Sequence, residues 1–239
     1  MTGSKLLAVF AHPDDESFRC GGTLALLAQH GVRVWVLCAT RGEAGVPGLT
    51  SQQASQVRQA ELKCACRALG IGPLILLDYH DGALAGVDEE EAVAQVLAAI
   101  RELRPQVLLT WPPDGLSGHP DHIAVSHWAA LAFERAAALG PDAPAALYHL
   151  AVPRSVAEAL GLTHLHTTPD EEVTLAVDVT AVWEQKLAAI RCHRTQLGNS
   201  PILAAPEEKQ RLFLGREHFR RAQARMEDDL FTPVSLQWR

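Results

Sequence analysis

No apolar stretch of the 239-residue sequence approaches the ~20 residues a membrane-crossing helix needs. The N-terminus has neither the basic start nor the long apolar segment of a secretory signal. The expectation is a soluble, cytoplasmic protein with no membrane partner. Basic charge is also short: 21 Lys and Arg stand against 28 Asp and Glu, a formal net charge of -7, and many bases sit beside acids, as in Arg101-Glu102 and Arg216-Glu217. A nucleic-acid surface needs a clustered basic face, so no nucleic-acid partner is expected. The one basic stretch, Arg216 to Arg225, is interrupted by Glu217 and reads as a solvated helix face. The five cysteines, Cys20, Cys38, Cys64, Cys66 and Cys192, are odd in number and form no C-x-x-C pair. That argues against a disulfide framework and a thiolate zinc knuckle, and leaves them as small core residues or bystanders. Internal repeats and low-complexity tracts are missing too, apart from an Ala-rich segment at 129–146 that reads as a helix followed by a turn.

What is present is a hydrophobic content of 48%, enough for a substantial core, and a strict alternation of element types. Short apolar runs at 5–10, 33–39, 74–79, 106–111 and 146–152 read as strands, and helical patterns fill 22–30, 53–69, 89–104 and 121–139 between them. This is the pattern of βαβ units around a parallel sheet with both faces covered by helices. The expected fold is α/β, a Rossmann-like three-layer αβα sandwich with a mostly parallel sheet. A further strand at 173–179 alternates more and suits an edge, and a helix is expected over 181–196. Asp88 before three glutamates, with Pro105 after the end, punctuates the helix at 89–104. Nothing marks a domain boundary, so 1–239 is read as one domain, with a core over about 5–140 and a small covering region over about 141–239.

In open parallel sheets, ligands bind beyond the carboxyl ends of the strands. Four consecutive loops deliver ionisable residues to that edge: His12, Asp14 and Asp15; Arg41 and Glu43; His80 and Asp81; and Asp114 with His119, Asp121 and His122. Pro13 fixes the backbone between an imidazole and two carboxylates. His119 and His122 share one face at the start of a helix, so one could ligate while the other stays free for chemistry. Two or three His and carboxylate ligands suit a hydrolytic divalent metal. With no cysteine pair available, zinc is favoured, with iron or manganese as alternatives. A nucleotide-binding module without catalysis is the rival class. It is disfavoured because the first strand ends in His-Pro-Asp-Asp rather than in a G-x-G-x-x-G phosphate loop.

A-H-P-D-D-E at 11–16, T-R-G-E-A-G at 40–45 and G-H-P-D-H at 118–122 together resemble the LmbE-like (PIG-L) family of metal-dependent N-deacetylases. Weaker echoes are Arg58-x-x-Glu61, Asp81-Gly82 and His193-Arg-Thr-Gln196, so the resemblance covers roughly residues 5–200. It implies that His12, Asp15 and His122 hold Zn2+, or another divalent metal such as Fe2+. It further implies that Asp14 is the general base, that His119 stabilises the oxyanion or protonates the leaving amine, and that Asp121 adjusts the orientation and charge of His119. Arg58 matches an arginine that contacts the sugar, and Arg41 is a second substrate-side candidate or a partner of Glu43. The implied reaction is deacetylation of an N-acetylglucosamine conjugate, a small molecule, with a different amide or an ester as the alternative. His193 and Gln196 are expected to pack near the metal, Trp111 to pack, Tyr148 to lie in the core, and a homo-oligomer is left open. Tyr79-His80 before Asp81, and the Pro113-to-Gly118 approach to the second motif, depart from many relatives.

Overall fold

The computed structural model describes residues 3–226, 230–232 and 234–236; the rest of the single domain expected over 1–239 lies outside the described residues. Strands β1 (Lys5–Phe10), β2 (Arg33–Thr40), β3 (Leu74–Tyr79), β4 (Val107–Thr110) and β5 (Ala146–Ala151) pair in parallel in the order β3-β2-β1-β4-β5. Beyond β5 the sheet continues antiparallel through β7 (Arg216–Ala224), β6 (Leu175–Asp178) and the two-residue β8 (Ser235–Leu236). Side chains of successive strand residues point to opposite faces. Leu6, Ala8 and Phe10 therefore enter one core, and Leu7, Val9 and Ala11 the other. The first core is closed by α2 (Gly21–Gln29), α3 (Ser51–Leu69) and α7 (Trp183–Cys192), with the short α1 (Asp15–Phe18) ahead of α2. The second is closed by α4 (Glu89–Leu103) and α5 (Pro120–Arg135). This is the three-layer αβα arrangement, and burial of both sheet faces is why the strands read as unbroken apolar runs.

The helix boundaries follow local chemistry. Asp88 accepts from the Glu91 N–H at 2.9 Å, and Thr50 and Gln53 form a reciprocal capping box at the start of α3. The C-terminal region about 141–239 is woven into the sheet as well as covering it: it supplies β5 to β8, while α6 (Arg154–Leu160), α8 (Pro201–Ala204) and α9 (Glu207–Leu214) complete the described helices. β6 lies inside β8 rather than at the outermost edge.

Two expectations are corrected. Arg216 to Arg225 is not a solvated helix face; most of it is β7, inserted between β5 and β6 with Phe219 fully buried. Its charges gave the wrong impression because several of them have partners elsewhere in the fold. Arg220 reaches Glu172 at 3.0 Å, while Glu217 turns inward to accept from the Gly22 and Thr23 N–H groups at the start of α2 and from Lys186 Nζ at 2.7 Å. The second correction is that Cys64 and Cys192 form a disulfide. They lie 128 residues apart in sequence, and only the side-by-side packing of α3 and α7 brings their Cα atoms to 5.7 Å. Cys20, Cys38 and Cys66 are buried free thiols, as expected of core residues.

His149, on β5, is buried with neither ring nitrogen hydrogen-bonded; burial and then the Arg220 charge hold its pKa down at about 4. Burial and the charges of Arg19 and Arg216 hold His218 down at about 3. Both stay neutral in the folded chain while taking up protons near pH 6.5 when unfolded, so stability is full above that pH and falls as the pH drops toward 4. His149→Phe is expected to recover roughly 2 kcal/mol of the stability that wild type loses between pH 6.5 and 5, at ~1.4 kcal/mol per pH step. Urea unfolding at pH 7 and pH 5 measures it, and equal acid sensitivity of the two proteins would refute it.

Candidate active site

The strand order reverses direction between β1 and β4, and the loops leaving those two strands carry the ionisable cluster. This is where an open α/β sheet leaves a crevice. Asp15 begins α1; its Oδ2 accepts from the N–H groups of Ala11 and His12, each at 3.0 Å, and from Trp111 Nε1 at 3.1 Å. That leaves Oδ1 to stand 3.5 Å from His122 Nε2. The His122 ring lies flat on Trp111, centroids 4.0 Å apart and planes 6° off parallel, and its Nδ1 meets the Gly115 carbonyl at 3.2 Å. A carbonyl can only accept, so Nδ1 carries the proton and Nε2 presents a lone pair. His12 mirrors this arrangement. Its Nε2 lies 3.1 Å from Asp121 and 3.2 Å from Asp81, which holds a proton there and turns Nδ1 toward His122 Nε2 at 3.3 Å.

Three possible ligand atoms thus converge, one each from His12, Asp15 and His122, within 4.8 Å of one another. That arrangement suits a divalent cation, and the carboxylates behind His12 are the outer partners such ligands usually have. Burial opposes charging of His12, but hydrogen bonds to Asp121 and Asp81 outweigh it and hold its pKa up at about 10, so at neutral pH the ring holds a proton on each nitrogen and a cation bound at Nδ1 takes the place of one of them. Burial and the neighbouring His12 push His122 down, against the pull of Asp15, leaving it neutral. Burial would raise Asp15, but His122, His12 and the hydrogen bonds it accepts bring it below the usual carboxylate range. A second His/Asp group, His12 with His119 and Asp121, shares His12, but its Asp121 faces the Nε2 side.

Asp14 stands beside the ligands with its backbone at φ 120, a conformation a non-glycine residue holds only when its surroundings impose it. The imposing contacts are visible. Its N–H donates to Glu16 Oε2 at 3.0 Å, and its Oδ2 lies 3.2 Å from Arg58 Nη2, which also donates to the Pro13 carbonyl. Burial, then the adjacent Asp15 charge, push the Asp14 carboxyl up to about 7, although 23% of its side chain still reaches solvent. Arg58 itself is buried and sits where Gly42 and Gly45 lack side chains: a Cβ would stand 2.8 Å from its Cζ at the first and 2.5 Å from Nη1 at the second. Glu16 is held in turn by His193 Nε2 at 2.8 Å and by Ser17 Oγ at 2.6 Å. His193 therefore supports the loop through Glu16 and does not reach the metal ligands. Glu61 fixes Thr195, and Gln196 donates to the Gly45 carbonyl.

The other expected residues fall as follows. His119 caps α5, its Nδ1 accepting from the Asp121 N–H at 3.2 Å, so Nε2 is its free donor; its ring packs against His12 and His122. Asp121 was expected to act on His119, but its carboxylate turns to His12 and accepts from the Gly82 and Leu84 N–H groups; only its backbone touches His119. Arg41 pairs with Asp78 at 2.7 Å, not with Glu43, and lines a polar cavity that includes Glu43 and Asp81. Glu43 accepts from the Asp81 N–H at 2.9 Å, and His80 is exposed. One site residue escaped the sequence reading, and one had no role there. Asp81 was placed at the site edge but its partner, 69 positions earlier, could not be read, and Trp111 looked like core because an indole N–H carries no charge to draw notice.

A family model described as PIG-L, GlcNAc-PI de-N-acetylase, matches residues 7–133. The chain belongs to the PIG-L family. Among its relatives are proteins named 1D-myo-inositol 2-acetamido-2-deoxy-alpha-D-glucopyranoside deacetylase. The one from Salinispora arenicola is 34% identical over 90% of this chain and 83% of its own length. The one from Geodermatophilus obscurus is 35% identical over 97% and 98%. Among solved structures, the N,N'-diacetylchitobiose deacetylase of Pyrococcus horikoshii shares the fold, with a TM-score of 0.68 at 21% identity over 92% of this chain and 84% of that one. In this PIG-L chain the matched segment contains His12, Asp14, Asp15, Arg58, Asp81, Asp121 and His122, while His193 falls beyond it.

The two carboxylates on His12 Nε2 generate a prediction. Asp121→Asn combined with Asp81→Asn is expected to weaken divalent-metal binding by roughly 10- to 100-fold, measured by competition with a chelating dye. His80→Ala, an exposed neighbour, serves as control. Unchanged affinity in the double variant would show that these carboxylates do not orient the ligand.

Proposed function

We propose that this chain is a metal-dependent hydrolase, with zinc as the fitting ion, that removes the acetyl group from an N-acetylglucosamine conjugate to give acetate and a free amino sugar. The observation that carries the proposal is the pairing of three converging ligand groups, His12, Asp15 and His122, with a carboxylate next to them that is not one of them, Asp14. The names of the relatives support the substrate class. A divalent ion bound there supplies a lowered pKa for water and polarisation of the acetamide carbonyl.

The chain's own residues do the rest. Asp14, fixed by Arg58 and Glu16, accepts the proton of the attacking water at Oδ1 or Oδ2, and a carboxyl group poised near neutrality can return that proton to the departing amine. His119 presents Nε2–H as a donor to the developing oxyanion, a contribution typically of ~3 to 4 kcal/mol. Asp121 acts through His12, keeping a proton on Nε2 so that Nδ1 is the nitrogen turned toward the ion. Arg58 is assigned to Asp14, since its Nη2 contacts are the Pro13 carbonyl and the Asp14 carboxylate. Arg41, in the polar cavity with Asp78, remains the candidate contact on the sugar side.

Asp14→Asn is the test. Metal content by mass spectrometry is expected to stay at the wild-type level while deacetylation, followed as released amine, falls by ~100-fold or more. Loss of metal in step with activity would reassign Asp14 as a ligand.

A further inference from the structure

The crevice at the metal site runs into a cavity of about 390 Å³, lined by Asp14 and His122 and therefore continuous with the reacting centre. Much of its remaining wall is apolar: Phe18 from α1, Leu116 from the loop after β4, Leu162 and Leu165 beyond α6, and Ile202 and Phe213 from α8 and α9. Leu116 holds φ 61, a conformation leucine rarely adopts. Its carbonyl accepts the His166 N–H at 2.6 Å and its side chain is 4% exposed, so the loop keeps an unfavourable backbone while placing an apolar group in this wall. Two of the polar side chains there, Arg19 and Gln196, are committed elsewhere, which leaves Ser117, His164 and Ser200 as the few hydrogen-bonding side chains in an otherwise apolar wall. Arg19 Nη2 donates to the Ala151 carbonyl and its guanidinium lies over the Phe213 ring at 4.4 Å. The Gln196 amide donates to the Gly45 carbonyl and to Thr195 Oγ1.

We propose that this cavity is the aglycone subsite, and that the group it takes is apolar, an alkyl or aryl substituent on the N-acetylglucosamine. The inference rests on the deacetylase reading above: that reading gives the acyl group two carbons, so the apolar volume falls to the other end of the substrate. A cyclitol, the aglycone in the substrate for which the relatives are named, would bury hydroxyl groups here with few partners, which a site of this kind discriminates against.

The test uses the zinc-loaded full chain and a series of N-acetylglucosaminides carrying methyl, butyl, octyl, phenyl and inositol aglycones. kcat/KM is expected to rise roughly three- to fourfold per added methylene until the cavity is filled, with the phenyl and octyl compounds above the inositol conjugate. In the Leu165→Ser/Ile202→Ser variant the octyl-to-methyl ratio is expected to fall tenfold or more. A flat series, a preference for the inositol conjugate, or a gain from lengthening the acyl chain instead of the aglycone would each overturn the proposal. If no member of the series is hydrolysed, the deacetylase reading fails, and the cavity is judged by calorimetry alone. Octyl glucoside should then bind at least tenfold more tightly than methyl glucoside, and lose that advantage in the double variant; equal binding overturns the apolar subsite.

Discussion

One nitrogen of the His12 ring lies between two carboxylates while the other faces His122, and that division is set by residues from three different loops. Asp121 opens the helix after β4, Asp81 follows β3, and the Asp81 carboxylate is itself tied to the loop after β2 through the Ala44 N–H at 3.0 Å. Each carboxylate also takes backbone N–H groups, which removes its freedom to swing away. The register of neighbouring parallel strands is thereby converted into the orientation of one imidazole. A shift of one strand would displace a carboxylate, and the ligating nitrogen would lose the partner that fixes its proton on the far side.

The same economy appears behind Asp14. A carboxylate beside another carboxylate, both withdrawn from water, would ordinarily relax apart; here Arg58 and the Glu16–His193 pair close around it. Farther out, Lys186 and Glu217 form a second buried pair, with the lysine fully enclosed. Such pairs add little net stability compared with apolar residues of the same shape. Their geometry does something else: Glu217 sits on β7, Lys186 on α7, and the carboxylate accepts from the first turn of α2, so three elements distant in sequence share one set of hydrogen bonds. An anion at that helix end is also favoured by the exposed N–H groups and the helix dipole.

The parallel half of the fold was legible because burial on both faces produces apolar runs, and those runs were bounded by turns at the positions where β1 to β5 end. The converging group of His12, Asp15 and His122 was legible because His-Pro-Asp-Asp and His-Pro-Asp-His concentrate unusual chemistry in a few residues. What the sequence hid is pairwise and distant. Antiparallel β7 looked like a charged helix face because its inward Glu217 is answered by Gly22, Thr23 and Lys186 and its outward Arg220 by Glu172, all tens to hundreds of positions away. The disulfide was hidden by cysteine parity and by a separation of 128 residues. Asp121 was attached to the wrong histidine because its nearest neighbour in sequence, His119, is met by its backbone, whereas its carboxylate crosses to His12.

The glycines of the T-R-G-E-A-G segment make Arg58's position possible by leaving two voids where side chains would be, and this has a bearing on how the protein tolerates change. A methyl group at 42 or 45 would collide with the guanidinium from one side or the other, and Gly42 additionally holds φ 67. The loop is thus a mould whose informative feature is its emptiness. Mutational sensitivity should concentrate at these two glycines, because the smallest possible addition there evicts the guanidinium that keeps the Asp14 carboxylate in place.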